Sequence, residues 1–450
     1  MRSLRLLAAV GFALALVGIA QAEAQTPSRP YRGLFGGGVP VPYRGPLMDL
    51  SMSAFVGWDQ PQDVAVTPLG STSEQRTLVS GPFSGGSAQL AYTHPGKHFS
   101  FTGSGSAFTS YFSDSNEEPW YSSYAGFGDI GWRLDLSRRT QLHLHESLYS
   151  STDYNSRSNF LSSSSPVPPP TASQGFETAL LHVPSVSSYS SIDLEQDFSA
   201  RSSMNVYYSY RLIHYLSDEE LLQDTNWNTA GARYQHRLTK DFGYHLGAGY
   251  QHYNTSGDQP PTTFYIIDAG VDYGRALSLT RTTQLKFGVG TTIARGNAPG
   301  SDEPPFGNQR LYVVGNADLS QELGRSWLER TYYRREINYD TGFGQPSLYD
   351  VVGTQVIGLL SHRVDVMGGV SYQTARIGLQ NNNYHSWYAT GQVRTAITRN
   401  LAAYAYYYYS LSDLAADLIL PPGVPRHVDR QGVRVGLTAW LPLWQGRGAP

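Results

Sequence analysis

The feature that most restricts the fold is a period of two that recurs from Leu47 to Trp444. Segments of about 10–15 residues alternate apolar and polar side chains, which is the side-chain period of a β-strand. In Ile266–Leu277, Ile267, Ala269, Val271 and Tyr273 share one face, and Asp268, Gly270, Asp272 and Gly274 share the other. Leu285, Phe287, Val289 and Ile293 alternate with Gln284, Lys286, Gly288 and Gly290. Val433, Val435, Leu437, Ala439, Leu441 and Leu443 alternate with Arg434, Gly436 and Thr438. A long helix does not hold this period, and glycine at every second residue would break it.

Eighteen segments read this way: 47–57, 86–94, 98–112, 120–136, 140–150, 187–199, 202–216, 225–238, 242–253, 263–277, 282–295, 309–323, 326–339, 348–360, 363–375, 384–397, 401–412 and 428–444. Their connections alternate between short and long. The short ones, such as Pro95-Gly96-Lys97, Ser137-Arg138-Arg139 and Thr398-Arg399-Asn400, each carry Lys or Arg. The long ones, such as Asp59–Gly85, Ser151–Val186 and Asp413–His427, are polar and often Pro-rich or acidic. Soluble strands average about 5–6 residues, whereas a tilted membrane strand needs about 9–11. Backbone groups in a bilayer must all be paired, so a membrane sheet closes on itself. Such barrels have an even strand number, short periplasmic turns and long outer loops. The expected fold is all-β: a closed antiparallel transmembrane β-barrel of about 18 strands. The alternative is a soluble all-β protein such as a propeller, β-helix or sandwich.

Composition agrees with the barrel. Only 15% of residues are charged and 40% hydrophobic, against roughly 25% and 45–50% in soluble domains. The chain holds 32 Tyr and 46 Gly. Tyr and Trp favour membrane interfaces, and Trp58, Tyr111, Trp120, Tyr121, Tyr124, Tyr215, Trp227, Tyr253, Trp327, Tyr339, Tyr349, Tyr384, Trp387 and Trp444 fall near strand ends as two expected girdles. A net charge of −3 gives no basic field for nucleic acid. The absence of Cys excludes disulfides, thiolate metal sites and a cysteine nucleophile.

Residues 1–24 read as a signal peptide: Arg2 and Arg5, then apolar Leu6–Ala20, then Ala22-Glu23-Ala24 as the cleavage pattern. Residues 25–46 read as a flexible Gly/Pro-rich periplasmic leader, 47–444 as the outer-membrane barrel and 445–450 as a short tail. The expected location is the cell outer membrane.

The Ser/Thr-x-Arg turns, Tyr-rich strands and signal peptide resemble β-barrel porins of the Gram-negative outer membrane, including relatives associated with exopolysaccharide loci. The resemblance is one of pattern and covers about residues 47–444. It implies outer-membrane lipid and lipopolysaccharide as surroundings, the barrel-assembly machinery as a partner, and a polysaccharide or sugar as a candidate solute. Such barrels usually end on an aromatic residue; here Trp444 closes the last segment but Gln445–Pro450 follow, a departure from the pattern that implies recognition of an internal assembly signal. A homo-oligomer is a further expectation, with no interface visible in the sequence.

No His-Glu-x-x-His, Gly-x-Ser-x-Gly, P-loop or dinucleotide fingerprint occurs, so no enzyme and no cofactor are expected. His143 and His145 share a face with Gln141 and read as lumen histidines rather than metal ligands, since no third ligand stands nearby. In Tyr406-Tyr407-Tyr408-Tyr409, alternate rings should face lipid and lumen, with sugar stacking as the sharper reading. If Ile192, Leu194 and Phe198 face lipid, then Asp193, Glu195 and Asp197 face inward. The same reasoning makes Asp129, Arg133, Asp135, Arg211, Arg233, Arg237, Asp268, Asp272, Lys286, Arg310, Arg330, Arg334, Arg394 and Arg434 candidate pore-lining residues. They would form opposed acidic and basic strips that filter by charge, or ion pairs that fill a closed lumen. The first function expected is passive passage of small hydrophilic solutes, with saccharides or an exported polysaccharide as candidates. The alternatives are a plugged barrel that anchors or assembles surface exopolysaccharide, and an outer-membrane enzyme or a secreted soluble β-rich protein.

Overall fold

The computed structural model describes residues 46–66, 81–112, 121–152, 184–216, 224–256, 262–277, 283–294, 310–323, 326–340, 345–377, 384–415 and 425–445. The segments read as signal peptide and leader lie outside them, apart from Pro46, as do residues 446–450 of the tail.

Eighteen strands are present. They are β1 (Leu47–Val66), β2 (Gly81–Pro95), β3 (Phe99–Phe112), β4 (Tyr121–Ser137), β5 (Thr140–Ser151) and β6 (Ser185–Asp197). Next come β7 (Ser202–Tyr215), β8 (Thr225–Arg237), β9 (Phe242–Thr255), β10 (Thr262–Ala276), β11 (Thr283–Ala294) and β12 (Arg310–Leu323). The last six are β13 (Trp327–Asp340), β14 (Gln345–Ser361), β15 (Val364–Ile377), β16 (Tyr384–Ala396), β17 (Leu401–Leu414) and β18 (Pro425–Gln445). Each pairs antiparallel with the next, and β18 pairs with β1, so the sheet closes into one barrel. No helix occurs among the described residues.

The expected strands lie close to the observed ones, with the largest differences at the seam. β1 runs to Val66 rather than stopping at 57, and β2 begins at Gly81 rather than 86. Asp59, Gln60 and Pro61 look like loop residues, but β18 stays beside them and the ladder absorbs Pro61 with a register shift before Asp63. Proline has no N–H to give to a ladder, which favours a bulge at that point. The alternation of short and long connections is weaker than expected: only 341–344 separate β13 from β14, and β10 is joined to β9 and to β11 by six residues each, 256–261 and 277–282.

Strand parity sorts the side chains. Val56, Leu148, Ile192, Leu246, Ile267, Val289, Val313, Val352, Val433 and Leu437 point outward and are exposed. This apolar outer surface on a closed ring has no soluble counterpart; it suits hydrocarbon, so the chain reads as a membrane-spanning barrel. The tyrosine run divides as parity requires, with Tyr406 and Tyr408 at 3% and 1% exposure inside and Tyr407 at 43% outside. The girdle expectation needs correction. Trp58, Tyr111, Tyr124, Trp387 and Trp444 are exposed on the outer face, but Tyr215, Tyr253, Tyr349 and Tyr384 are buried on the inner side. Trp227 joins them, packed on Tyr253. The side chains of Trp120, Tyr121 and Tyr339 lie outside the described residues.

Glycine and aromatic residues meet on the inner face as direct cross-strand partners: Phe55 with Gly85, Phe83 with Gly57, Tyr207 with Gly231, Tyr332 with Gly353 and Tyr408 with Gly432. A Cβ on Gly231 would lie 2.5 Å from the Tyr207 hydroxyl oxygen, and one on Gly353 2.6 Å from that of Tyr332. Each ring therefore lies flat across its neighbour's backbone, in space that only glycine leaves. A flat ring buries its area without projecting into the lumen. Strands about 4.8 Å apart, tilted about 40°, give an eighteen-strand ring a backbone diameter of about 35 Å, and a thin lining keeps much of that width.

Candidate functional site: the lumen wall

Most inward charges sit toward the ends of strands joined by the short turns. On β4, Asp129 faces His145 of β5 at 2.5 Å, and Arg133 meets Asp135 on its own strand at 3.1 Å. His143 stands directly opposite Asp193 of β6. Further round, His245 is clamped between two carboxylates of β10, with Nδ1 at 2.7 Å from Asp272 and Nε2 at 3.2 Å from Asp268. Arg233 of β8 approaches the same pair more loosely, at 3.6 Å from Asp268 and 3.8 Å from Asp272. Glycines make room here: a Cβ on Gly290 would lie 2.9 Å from Asp268 and 3.3 Å from His245. On the next part of the wall, the Arg330 Nε donates to Asp318 at 2.7 Å and the Arg394 Nε to Asp365 at 3.1 Å.

The seam carries a different arrangement. Asp59 of β1 accepts from the Arg430 Nε at 2.7 Å and from the Tyr408 hydroxyl at 2.7 Å. Both charged partners are almost fully buried, at 2% and 3% exposure. One layer along, the Arg434 guanidinium lies 5.0 Å from the Phe55 ring centre and 4.8 Å from that of Tyr406, a cation–π contact on two sides. Phe55 in turn stacks on Phe108 at 5.4 Å. Tyr406 and Tyr408 are thus consumed by the wall, so they offer no face for a sugar, and the stacking idea for this run does not survive.

The sequence-derived residues are all strand residues, but they do not form one site. Asp129, Arg133, Asp135, Asp193, Glu195 and Asp197 occupy inner positions of β4 and β6. Arg211 lies over the Trp227 ring at 4.8 Å, and Arg233 and Arg237 alternate along β8. Lys286 stands opposite Asp318, and Arg334 opposite Asn316. Arg310 begins β12, but its side chain lies outside the described residues. The expectation of separate acidic and basic strips needs correction: Arg233, Arg330 and Arg394 each sit on a carboxylate. Burial of unpaired charge is costly, and local pairing relieves it. Sequence reasoning missed Asp59, His245, Asp318, Asp365 and Arg430. His245 was within reach, since it alternates with Gly243, Gly247 and Gly249; Asp59 was hidden by the loop-like residues around it. Among the described residues no group of three or more His, Asp or Glu is placed to hold a metal ion.

No family model matches the chain, and no curated protein matches it. Solved structures do resemble it. OccK11 (OpdR) of Pseudomonas aeruginosa is 11% identical with a TM-score of 0.41, covering 89% of this chain and 96% of its own. OccAB4 of Acinetobacter baumannii is 9% identical with a TM-score of 0.39, covering 90% and 100%. The ferric citrate transporter FecA is 12% identical with a TM-score of 0.38; 88% of this chain matches only 64% of that one. These neighbours are outer-membrane barrel proteins. At such scores they add nothing to the closed eighteen-strand barrel, which rests on its own strand pairing.

Proposed function

We propose that the chain is an outer-membrane channel for passive passage of small hydrophilic solutes. The observation that carries this reading is the division of one closed ring into an apolar outer face and a polar inner one, with inward Ser, Asn, Gln, Asp, Glu, Arg or Lys on strand after strand. A ring of this size holds water as well as side chains. Pairing of Arg233, Arg330 and Arg394 with carboxylates offsets most of their charge, which favours uncharged solutes over strong ion filtering. Saccharides, including an exported polysaccharide, are the finer candidates. The test is single-channel current of the refolded protein in a planar bilayer. Stable conductance is the expected result; a folded, inserted protein that stays silent would overturn the channel reading and favour a plugged barrel.

A further inference from the structure

The lumen wall contains a recess of about 290 Å³ on β6, β7 and β8, lined by Glu195, Ser203, Asn205, Tyr207, Arg233 and Gln235. Strand register builds it in rows. Glu195, Asn205 and Arg233 stand side by side across the three strands, with Ser203 beside Gln235 in the next row and Tyr207 beside Gly231 in the row on the other side. Its volume is at the small end of ligand sites.

Three properties define what would fit. First, hydrogen-bonding capacity is left over. The Glu195 carboxylate has no ion pair or hydrogen bond among the described residues, and the partly exposed Arg233 guanidinium is held only loosely, at 3.6 Å and 3.8 Å from its two carboxylates. Second, the Tyr207 ring lies flat on Gly231, so its other face looks into the recess. Third, charge is offset or negative: Arg233 already approaches Asp268 and Asp272, and Asp193 and Asp197 flank Glu195 on its own strand. An anion would be repelled by the carboxylates, and a cation would meet the Arg233 guanidinium on the far side of Asn205 from Glu195.

We propose that this recess is a binding subsite for one ring of an uncharged sugar. A sugar hydroxyl both donates and accepts, so it can give to Glu195 while taking from Arg233, and the Asn205 and Gln235 amides can each serve neighbouring hydroxyls. The apolar face of the ring would lie on Tyr207. The subsite rests on the channel reading for its role in transport, but its occupancy does not.

The experiment measures block of single-channel current by glucose and maltose, with glucuronate and protonated glucosamine as charged comparisons, in the native chain and in Glu195→Gln, Asn205→Leu and Gln392→Leu. Gln392 lies on the distant β16. The neutral sugars should block the native channel. Glu195→Gln and Asn205→Leu should each weaken block about tenfold, the effect of losing one good hydrogen bond, and Gln392→Leu should leave it unchanged. Two site variants guard against one failing to fold. Current without sugar block, equal block in all variants, or stronger block by glucuronate or glucosamine would overturn the subsite and leave the channel standing. If no current appears, the channel reading fails, and saturation-transfer NMR of the folded protein with glucose decides the subsite: signal lost in both site variants supports it, and signal absent or unchanged overturns it.

Discussion

The aromatic-over-glycine packing predicts a sharp difference between two glycines that look alike in sequence. Gly432 and Gly391 each pair directly with a tyrosine, Tyr408 and Tyr407. At Gly432 an added Cβ would fall within the Tyr408 ring, whereas at Gly391 it meets nothing within 4 Å. Gly432→Ala must therefore expel the ring or move the strand, an overpacking cost of about 1–3 kcal/mol. The displaced ring also loses the 2.7 Å bond from its hydroxyl to Asp59, and a bond to a charged group is worth about 1.5–3 kcal/mol. The lower backbone entropy of alanine in the unfolded chain returns about 0.5–1 kcal/mol. The net expectation is a loss of about 2–5 kcal/mol for Gly432→Ala, against no loss or a small gain for Gly391→Ala. The assay is urea unfolding from lipid vesicles, read by tryptophan fluorescence and by the mobility of unheated samples on gels. The pair Tyr408→Ala with Gly432→Ala adds a coupling test: with the ring gone, the added methyl has nothing to displace, so the double variant should be no less stable than Tyr408→Ala alone. Equal stability of the two alanine variants, or additive costs in the double variant, would refute the packing argument.

Three further outcomes follow from the same structure. Val289→Arg, on the outer face near the middle of β11, should destabilise the barrel by about 2–4 kcal/mol, the cost of a cation at the bilayer midplane, while Gln284→Lys on the inner face should change vesicle unfolding little. Arg233→Glu and Arg330→Glu place a new carboxylate beside Asp268 and Asp318, so reversal potentials in a salt gradient should shift toward cation preference; unchanged selectivity in both would remove these residues from the conduction path. Asp59→Ala strands Arg430 in a buried setting and should cost about 3–5 kcal/mol, whereas replacing both residues by apolar ones should recover much of that loss in the same urea titration.

The barrel was legible because its signal is repeated. One alternating strand is ambiguous, but Ile267-to-Tyr273, Leu285-to-Val289 and Val433-to-Leu443 all state the same period, and the turns between strands fix their direction. Parity then carries over to side chains: an apolar outer face at Ile192 and Leu194 leaves Asp193 and Glu195 no other side. What parity does not contain is distance around the ring. That Arg233 reaches Asp268 across β9, or that Arg330 turns back to Asp318, depends on register and rotamer. Charge strips were therefore readable as faces and unreadable as pairs. The girdle expectation failed for part of its residues for a related reason. Position near a strand end is visible in sequence, but Tyr349 and Tyr384 differ from Trp387 by parity, which outranks it.

Parity also has a limit that explains the seam. A slip of one residue between β1 and β18 would turn every apolar side chain inward, so the alternating pattern forbids it. A slip of two residues preserves every face, and the pattern offers no resistance. Seventeen of the eighteen pairings join consecutive strands, where a connection limits the slip; β1 with β18 has none. That pairing is where the chain places its most specific contacts: Asp59 with Arg430 and Tyr408, Arg434 between Phe55 and Tyr406, and Phe55 packed where a Cβ on Gly436 would lie 2.9 Å away. A two-residue slip would put Arg434 or Thr438 opposite Phe55 in place of Gly436, where even a Cβ would lie 2.9 Å from the Phe55 side chain, at a cost that uniform apolar packing could not impose. The buried ion pair does not make this choice, since Asp59 stands opposite Gly432 and a slip of two in either direction brings Arg430 or Arg434 opposite it; the glycine facing Phe55 does. The role of Gly436 in the fold is selection, and the lumen geometry on which solute passage depends is set by that choice.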